Sequence, residues 1–216
     1  MDSGMGGVMG RSQVFSLILG ATVLVGCAGS PTEVTAIAHE GFLIHGARRT
    51  VLVDALFRAT APYPEFFSQG PSEDLVRRMV AGEGAFRNID LALVTHSDGD
   101  HFHARTAFDF LEHHPETLLV GTVDVMEALA AMDGFDGIAE RVIAPARVPG
   151  SCEQVEHRGI KIKSCLVWHS GGREVANNIY IIDMDGFRFL HEGDADRSPA
   201  TFARLELPEQ GLDLAF

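Results

Sequence analysis

The chain has 216 residues, 46% of them hydrophobic, and a formal net charge of −13 from 17 Lys and Arg against 30 Asp and Glu. That length supplies one sizeable core and is short for two. The acidic balance argues against nucleic acid as a partner, since the densest basic clusters are the pairs Arg48, Arg49 and Arg77, Arg78, and it argues equally against charge-driven adhesion to anionic lipid.

The first residues read as a targeting segment. Arg11 precedes an apolar run from Val14 to Gly26, the length of a secretory leader and too short for a stable bilayer anchor. The run closes on Leu24, Val25, Gly26 and Cys27, which resembles a bacterial lipobox. The resemblance implies a lipoprotein signal peptide over 1–26, cleavage that leaves a lipidated Cys27, and a tether over 27–32 containing Ala28, Gly29 and Ser30. The expected location is the outer face of a bacterial membrane, periplasmic or exterior. The absence of Asp after the cysteine favours the outer membrane where there is one. An ordinary secretory leader with a chance cysteine is the plainer alternative. Residues 33–216 are expected to form one domain, which carries the whole charge imbalance because Asp2 and Arg11 in the leader cancel.

From Glu33 to Asp54 three strand-like runs, VTAIAH, GFLIHG and TVLVDALF, read as a meander in which His39 and His45 are structural and Asp54 closes the third strand. The stretch 59–70, rich in Pro and Phe, reads as an irregular apolar loop. Ser72 caps a helix to Ala81 with Leu75, Met79 and Val80 inward. Ala104 to His113 is a second helix with Ala107, Phe108 and Leu111 inward, and the strand TLLVGT precedes a third over Val123 to Met132. His113 and His114 read as surface residues at a helix end. His103 is either a support for a neighbouring ligand or a plain helix-end residue. Helices therefore cover the outside of sheets.

The second half is mostly hairpins. With Cys27 assigned to lipid, Cys152 and Cys165 form an even pair suited to an oxidising compartment. A two-residue turn at Arg158 and Gly159 sets Glu156 opposite Lys161 and Val155 opposite Ile162, and brings Cys152 to Cys165, predicting a disulfide. Asp185-Gly186 is a second hairpin turn. The chain stops at GLDLAF, an apolar strand that would lie at a sheet edge.

Between these halves, residues 91–103 read LALVTHSDGDHFH, a buried-strand pattern that stops at a knot of ionisable residues. Around Gly99 lie His96, Asp98, Asp100 and His101. Imidazole nitrogen and carboxylate oxygen together suit zinc, and also iron or manganese. This spacing resembles the His-x-His-x-Asp-His signature of the metallo-β-lactamase superfamily, with Asp98 where a histidine is usual. WHSGG, carrying His169, and FLHEGD, carrying Asp194, match in the expected order, and the resemblance covers about Glu33 to the end. It implies an α/β (α+β) fold, a four-layer αββα sandwich of two mixed sheets with outer helices. The C-terminal part reads as shortened, because no histidine follows Asp194.

By position, the resemblance implies that His96, Asp98 and His169 hold one divalent ion, that Asp100 and His101 hold a second, and that Asp194 lies between them. A bound water would be the nucleophile, with Asp100 orienting it and shuttling a proton. His191 is either a supporting residue or an ordinary strand position. The implied function is a metal-dependent hydrolase of an ester, lactone or phosphodiester, with a small-molecule or lipid-derived substrate, most similar to the lactonase and phosphodiesterase branch. The alternative is a catalytically impaired metal-binding or interaction lipoprotein, which Asp98 and the absent last histidine favour. A one-ion hydrolase is a third reading. Oligomeric state is not legible.

Overall fold

A computed structural model describes residues 22–25, 32–58, 70–203, 205 and 211–216, so Cys27 and the loop over 59–69 lie outside the described residues. One sheet contains, in spatial as in chain order, β1 (Thr22–Val25), β2 (Thr32–Ala38), β3 (Gly41–His45), β4 (Thr50–Val53), β5 (Leu91–Leu93), β6 (Leu118–Val120) and β7 (Val142–Ile143). Its first four strands are an antiparallel meander, while β4 to β7 run parallel. Parallel neighbours need crossovers. These are α1 (Glu73–Val80), α2 (Ala104–His113) and α3 (Val123–Ala130). The backbone of β1, inside the run read as a leader, pairs with β2.

The second sheet holds β8 (Cys152–His157), β9 (Ile160–Trp168), β10 (Ala176–Met184), β11 (Phe187–His191) and β12 (Leu214–Ala215), in the order β12-β11-β10-β9-β8. It is antiparallel except that β12 adds parallel to β11 at the edge. A short helix, α4 (Pro199–Ala203), precedes that last strand.

Period-two alternation sorts the side chains into layers. On β4, Leu52 faces α1 and α2 with Met79 and Phe108, while Val51 and Val53 face the second sheet with Ile162, Tyr180 and Phe189. On β10 the same rule sends Tyr180 and Ile182 between the sheets and Ile179 and Ile181 to the outer face, under Phe202 and Leu205. The sandwich therefore has the expected four layers, with α4 as the outer helix of the second sheet among the described residues.

The cysteine hairpin has the register read from the sequence. Glu156 pairs with Lys161, Val155 with Ile162 and Cys152 with Cys165, whose Cα atoms are 4.0 Å apart across a disulfide. Arg158 and Gly159 both have positive φ, the condition for a tight two-residue turn whose twist matches the strands. Asp185-Gly186 does the same between β10 and β11.

Tertiary contacts correct several local readings. In α1, capped by Ser72 accepting from Leu75 N at 3.2 Å, the buried residues are Val76 and Met79, with Leu75 and Val80 only partly covered. Phe110 joins the buried face of α2. His114 is not a surface residue: it is buried, stacks on Phe110 at 4.0 Å, and its Nε2 bonds Met79 O at 3.1 Å. His103 caps α2, its Nδ1 accepting from Thr106 N at 3.3 Å.

Candidate metal centre

The centre forms where strands from both sheets end. Asp54 follows β4, Thr95 and His96 follow β5, His169 follows β9, and Asp194 lies beyond β11. Backbone bonds lock these ends together. Asn178 N donates to Thr95 O at 2.8 Å, Ser170 N donates to Asp194 O at 2.7 Å, and Asp196 N donates to Trp168 O at 2.9 Å. Beneath them the buried Tyr180 hydroxyl of β10 donates to Val94 O at 2.8 Å, bridging the sheets. Asn177 receives Asp194 N on its Oδ1 at 3.1 Å and donates to Glu192 O at 2.9 Å, which sets the carboxylate's loop.

Five of the six sequence-read ligands, all but Asp100, converge. His96, Asp98 and His169 form one group whose candidate ligand atoms all lie within 4.8 Å of one another, and His96, His101 and Asp194 form a second. Asp98 Oδ2 is 3.7 Å from both His96 Nε2 and His169 Nε2, and Asp194 Oδ2 is 3.1 Å from His169 Nε2. Asp100 lies outside both groups, although its charge acts on His101 and on His39. The turn that carries it closes with His101 N and Phe102 N both donating to Asp98 O, which delivers Asp98 and His101 to the centre.

Asp54 governs the imidazoles. It is fully buried at a positive φ, an unusual conformation for a non-glycine residue. Its Oδ1 accepts from Thr95 N at 2.7 Å, and its Oδ2 accepts from Thr95 Oγ1 at 2.6 Å, His101 Nδ1 at 3.0 Å and His191 Nε2 at 2.8 Å. Thr95 has one hydroxyl proton, already given to Asp54, so at 3.0 Å its oxygen accepts from His96 Nδ1. His169 Nδ1 donates to Ser170 O at 2.8 Å. In all three rings the δ nitrogen thus carries a proton and the ε nitrogen faces the centre, the orientation that an ion requires.

Charges follow from burial and neighbours. Burial works to raise the Asp54 carboxyl, but His101 and His191 hold it far below the usual carboxylate range. Burial works to lower His101, but Asp54, with Asp194 and Asp100 behind it, raises it to about 9. His96, buried beside the His101 charge, is lowered to about 4 and is neutral at pH 7. Burial works to raise Asp98, but the Arg173 hydrogen bond and the His96 charge outweigh it and leave the carboxyl lowered.

His96 Nε2 is buried without a hydrogen-bond partner. A buried lone pair left unmatched is costly. Here it points among carboxylates and imidazoles, so the donor set fits a borderline divalent cation. Next to Asp194 lies a cavity of about 590 Å³, lined by Glu40, Ser170, Gly193, Asp194, Arg197 and Ser198. Glu40, on the β2–β3 turn, is pushed up by burial and then by the Asp194 charge.

Sequence reasoning missed several of these parts. Thr95, Arg173 and Asn177 drew no notice, Glu40 counted only as part of the Glu40-Gly41 break between two strands, and Asp54 was noted only for closing a strand. An acid directly after the all-apolar run VLV was the one available signal for Asp54. His191, left open before, is a partner of Asp54.

A family model described as a beta-lactamase superfamily domain matches residues 33–209. The chain belongs to the metallo-β-lactamase superfamily. No curated protein matches it in sequence. Among solved structures, a protein described as a metal-dependent hydrolase from Parabacteroides distasonis is 17% identical over 92% of this chain and 74% of its own, with a TM-score of 0.56. One from Veillonella parvula, likewise described, is 16% identical over 82% and 67%, with a TM-score of 0.52. CmlA, a diiron β-hydroxylase from Streptomyces venezuelae, is 15% identical over 86% of this chain with a TM-score of 0.53, and this chain spans 34% of its length. At these identities the likeness is one of fold, and fold alone does not select a reaction.

Proposed function

We propose that the protein is a metal-dependent hydrolase of an ester, lactone or phosphodiester. The observation that carries this reading is the common orientation of His96, His101 and His169, each with its δ nitrogen engaged and its ε nitrogen turned toward Asp98 or Asp194. A folded core has no need to aim three imidazole ε nitrogens and two carboxylates at one space. A divalent ion held there would supply Lewis acidity and would lower the pKa of a water toward neutrality. Asp194, reached by both His101 and His169, is the carboxylate placed between the two groups. Asp100, outside both groups but close enough for its charge to act on His101, is assigned to orienting the attacking water and taking its proton. The cavity beside Asp194 would receive the substrate, with Arg197 and Ser198 as its polar contacts. Zinc is the favoured ion, with iron or manganese as the other candidates.

Export as a lipoprotein is part of the proposal, with Cys27 carrying the lipid, 27–32 as tether and the domain facing the periplasm or exterior. The oxidised Cys152–Cys165 pair supports that compartment. Cleavage before Cys27 would remove β1 and leave β2 as the sheet edge. No helix among the described residues is long and apolar enough to cross a membrane. Mass spectrometry of the amino-terminal peptide would detect the acylated Cys27.

A metal-binding lipoprotein without catalysis is the second reading. The guanidinium of Arg173 on Asp98 favours it, because a ligand already paired is less available. Elemental analysis tests the shared premise. The purified chain should carry zinc, iron or manganese, and His96→Ala should lose it. A chain with no such metal even after reconstitution would remove both readings.

A further inference from the structure

The loop that follows His169 turns a cation back into the centre. Arg173 Nη1 donates to Asp98 Oδ2 at 2.5 Å, and its Nη2 donates to Asp98 Oδ1 at 3.1 Å, a two-pronged pair between residues 75 positions apart. The same Nη1 lies 3.3 Å from His169 Nε2, whose lone pair is the acceptor there. One nitrogen of the guanidinium therefore spans two of the three ligand atoms of the group His96, Asp98 and His169.

A cation held between these atoms excludes another. The guanidinium is permanently charged, and its planar fork fits a carboxylate with little loss of freedom. An ion bound by Asp98 and His169 would have to break both prongs and then sit beside the displaced positive charge. The other group, His96, His101 and Asp194, has no guanidinium docked on it and only a proton on His101 to displace, and His96 Nε2, the nitrogen that the two groups share, is buried without a hydrogen-bond partner.

We propose that Arg173 stands in for one of the two metal ions: the chain holds a single ion at His96, His101 and Asp194, and beside it a fixed organic cation docked on Asp98 and His169. Asp98 and Arg173 are then two halves of one device, since an imidazole at position 98 could not receive the fork. With its side chain about half exposed at 49%, Arg173 also presents positive charge to the mouth of the centre, where the oxyanion of a substrate would sit. This inference rests on the metal-centre reading above.

The test is zinc titration of the full chain, purified in detergent and stripped with a chelator, followed by calorimetry and by elemental analysis after gel filtration. The wild type should take up about one zinc per chain, and Arg173→Ala and Asp98→His should each take up about two, because each variant frees His169 and position 98, which with Asp194 Oδ2, 3.1 Å from His169 Nε2, can hold a second ion while His96 stays with the first. Arg173 lies on an exposed loop, so its loss should leave the fold intact, which circular dichroism would verify. Two zinc ions in the wild type, with no change in Arg173→Ala, would overturn the inference and leave the hydrolase reading standing. One zinc in all three proteins would also overturn it, since nothing would then have been displaced. No zinc in any of them would overturn both.

Discussion

His101 Nδ1 donates to Asp54 Oδ2 at 3.0 Å, and this one contact fixes which ring nitrogen faces the metal centre. Asp54 is buried at the end of β4, so its carboxylate acts on His101 directly and on His96 through Thr95. Partners of this kind raise the basicity of a ligating imidazole and hold its orientation. Asp54→Asn should therefore weaken zinc binding by about 10–100-fold while leaving every ligand in place. Competition with a chromogenic chelator would measure it. An affinity within twofold of the wild type would mean that the ligands hold their geometry without Asp54.

The same pair predicts how the metal-free protein responds to pH. His101 is raised from about 6.5 to about 9 in the fold, so its stabilising contribution is fully present below about 6.5 and is lost as pH rises through about 9. The contribution is on the order of 3 kcal/mol. Thermal unfolding of the chelated protein should show Tm falling across this window, and Asp54→Asn should flatten the fall. A Tm independent of pH between about 6.5 and 9 would contradict the pairing.

Gly193 has a positive φ of 52°, and a Cβ there would lie 2.6 Å from Thr95 Oγ1 and 2.7 Å from Thr95 Cβ. Thr95 cannot yield without releasing Asp54 and His96. Gly193→Ala should cost about 1–3 kcal/mol of stability and weaken metal binding as well. Denaturant unfolding beside the zinc competition assay would separate the two effects.

The Cys152–Cys165 disulfide closes a short loop, with a sequence separation of 13, inside an already paired hairpin. Chain-entropy reasoning sets its worth at about 2–3 kcal/mol. The double replacement Cys152→Ser, Cys165→Ser should lower Tm by several degrees without altering metal content, because the pair lies on the outer face of the second sheet. A loss of bound metal would place the hairpin closer to the centre than its packing implies.

What could be read from the chain follows a physical divide. The hairpin register was legible because turn type, opposite charges and paired cysteines all lie within fourteen consecutive residues. His96, Asp98 and His101 were legible because one loop carries them. His113 and His114 look alike locally, yet one is exposed and the other stacks on Phe110 and reaches Met79. That distinction exists only once α1 packs on α2. Arg173 on Asp98 and His191 on Asp54 join residues 75 and 137 positions apart, and no local pattern announces such pairs. Asp100 was assigned from the family signature, and its carboxylate lies outside both groups of converging ligand atoms.

Central to the proposed function is that the centre performs hydrolysis and that the metal is required. Its most direct test is turnover by the purified chain on chromogenic ester, lactone and phosphodiester substrates, measured as purified, after chelation, and after zinc, iron or manganese is restored. Hydrolysis of at least one class is expected, abolished by chelation, restored by metal and absent in His96→Ala. A chain that binds metal yet hydrolyses none of the three, or whose turnover is the same before and after chelation, would contradict it.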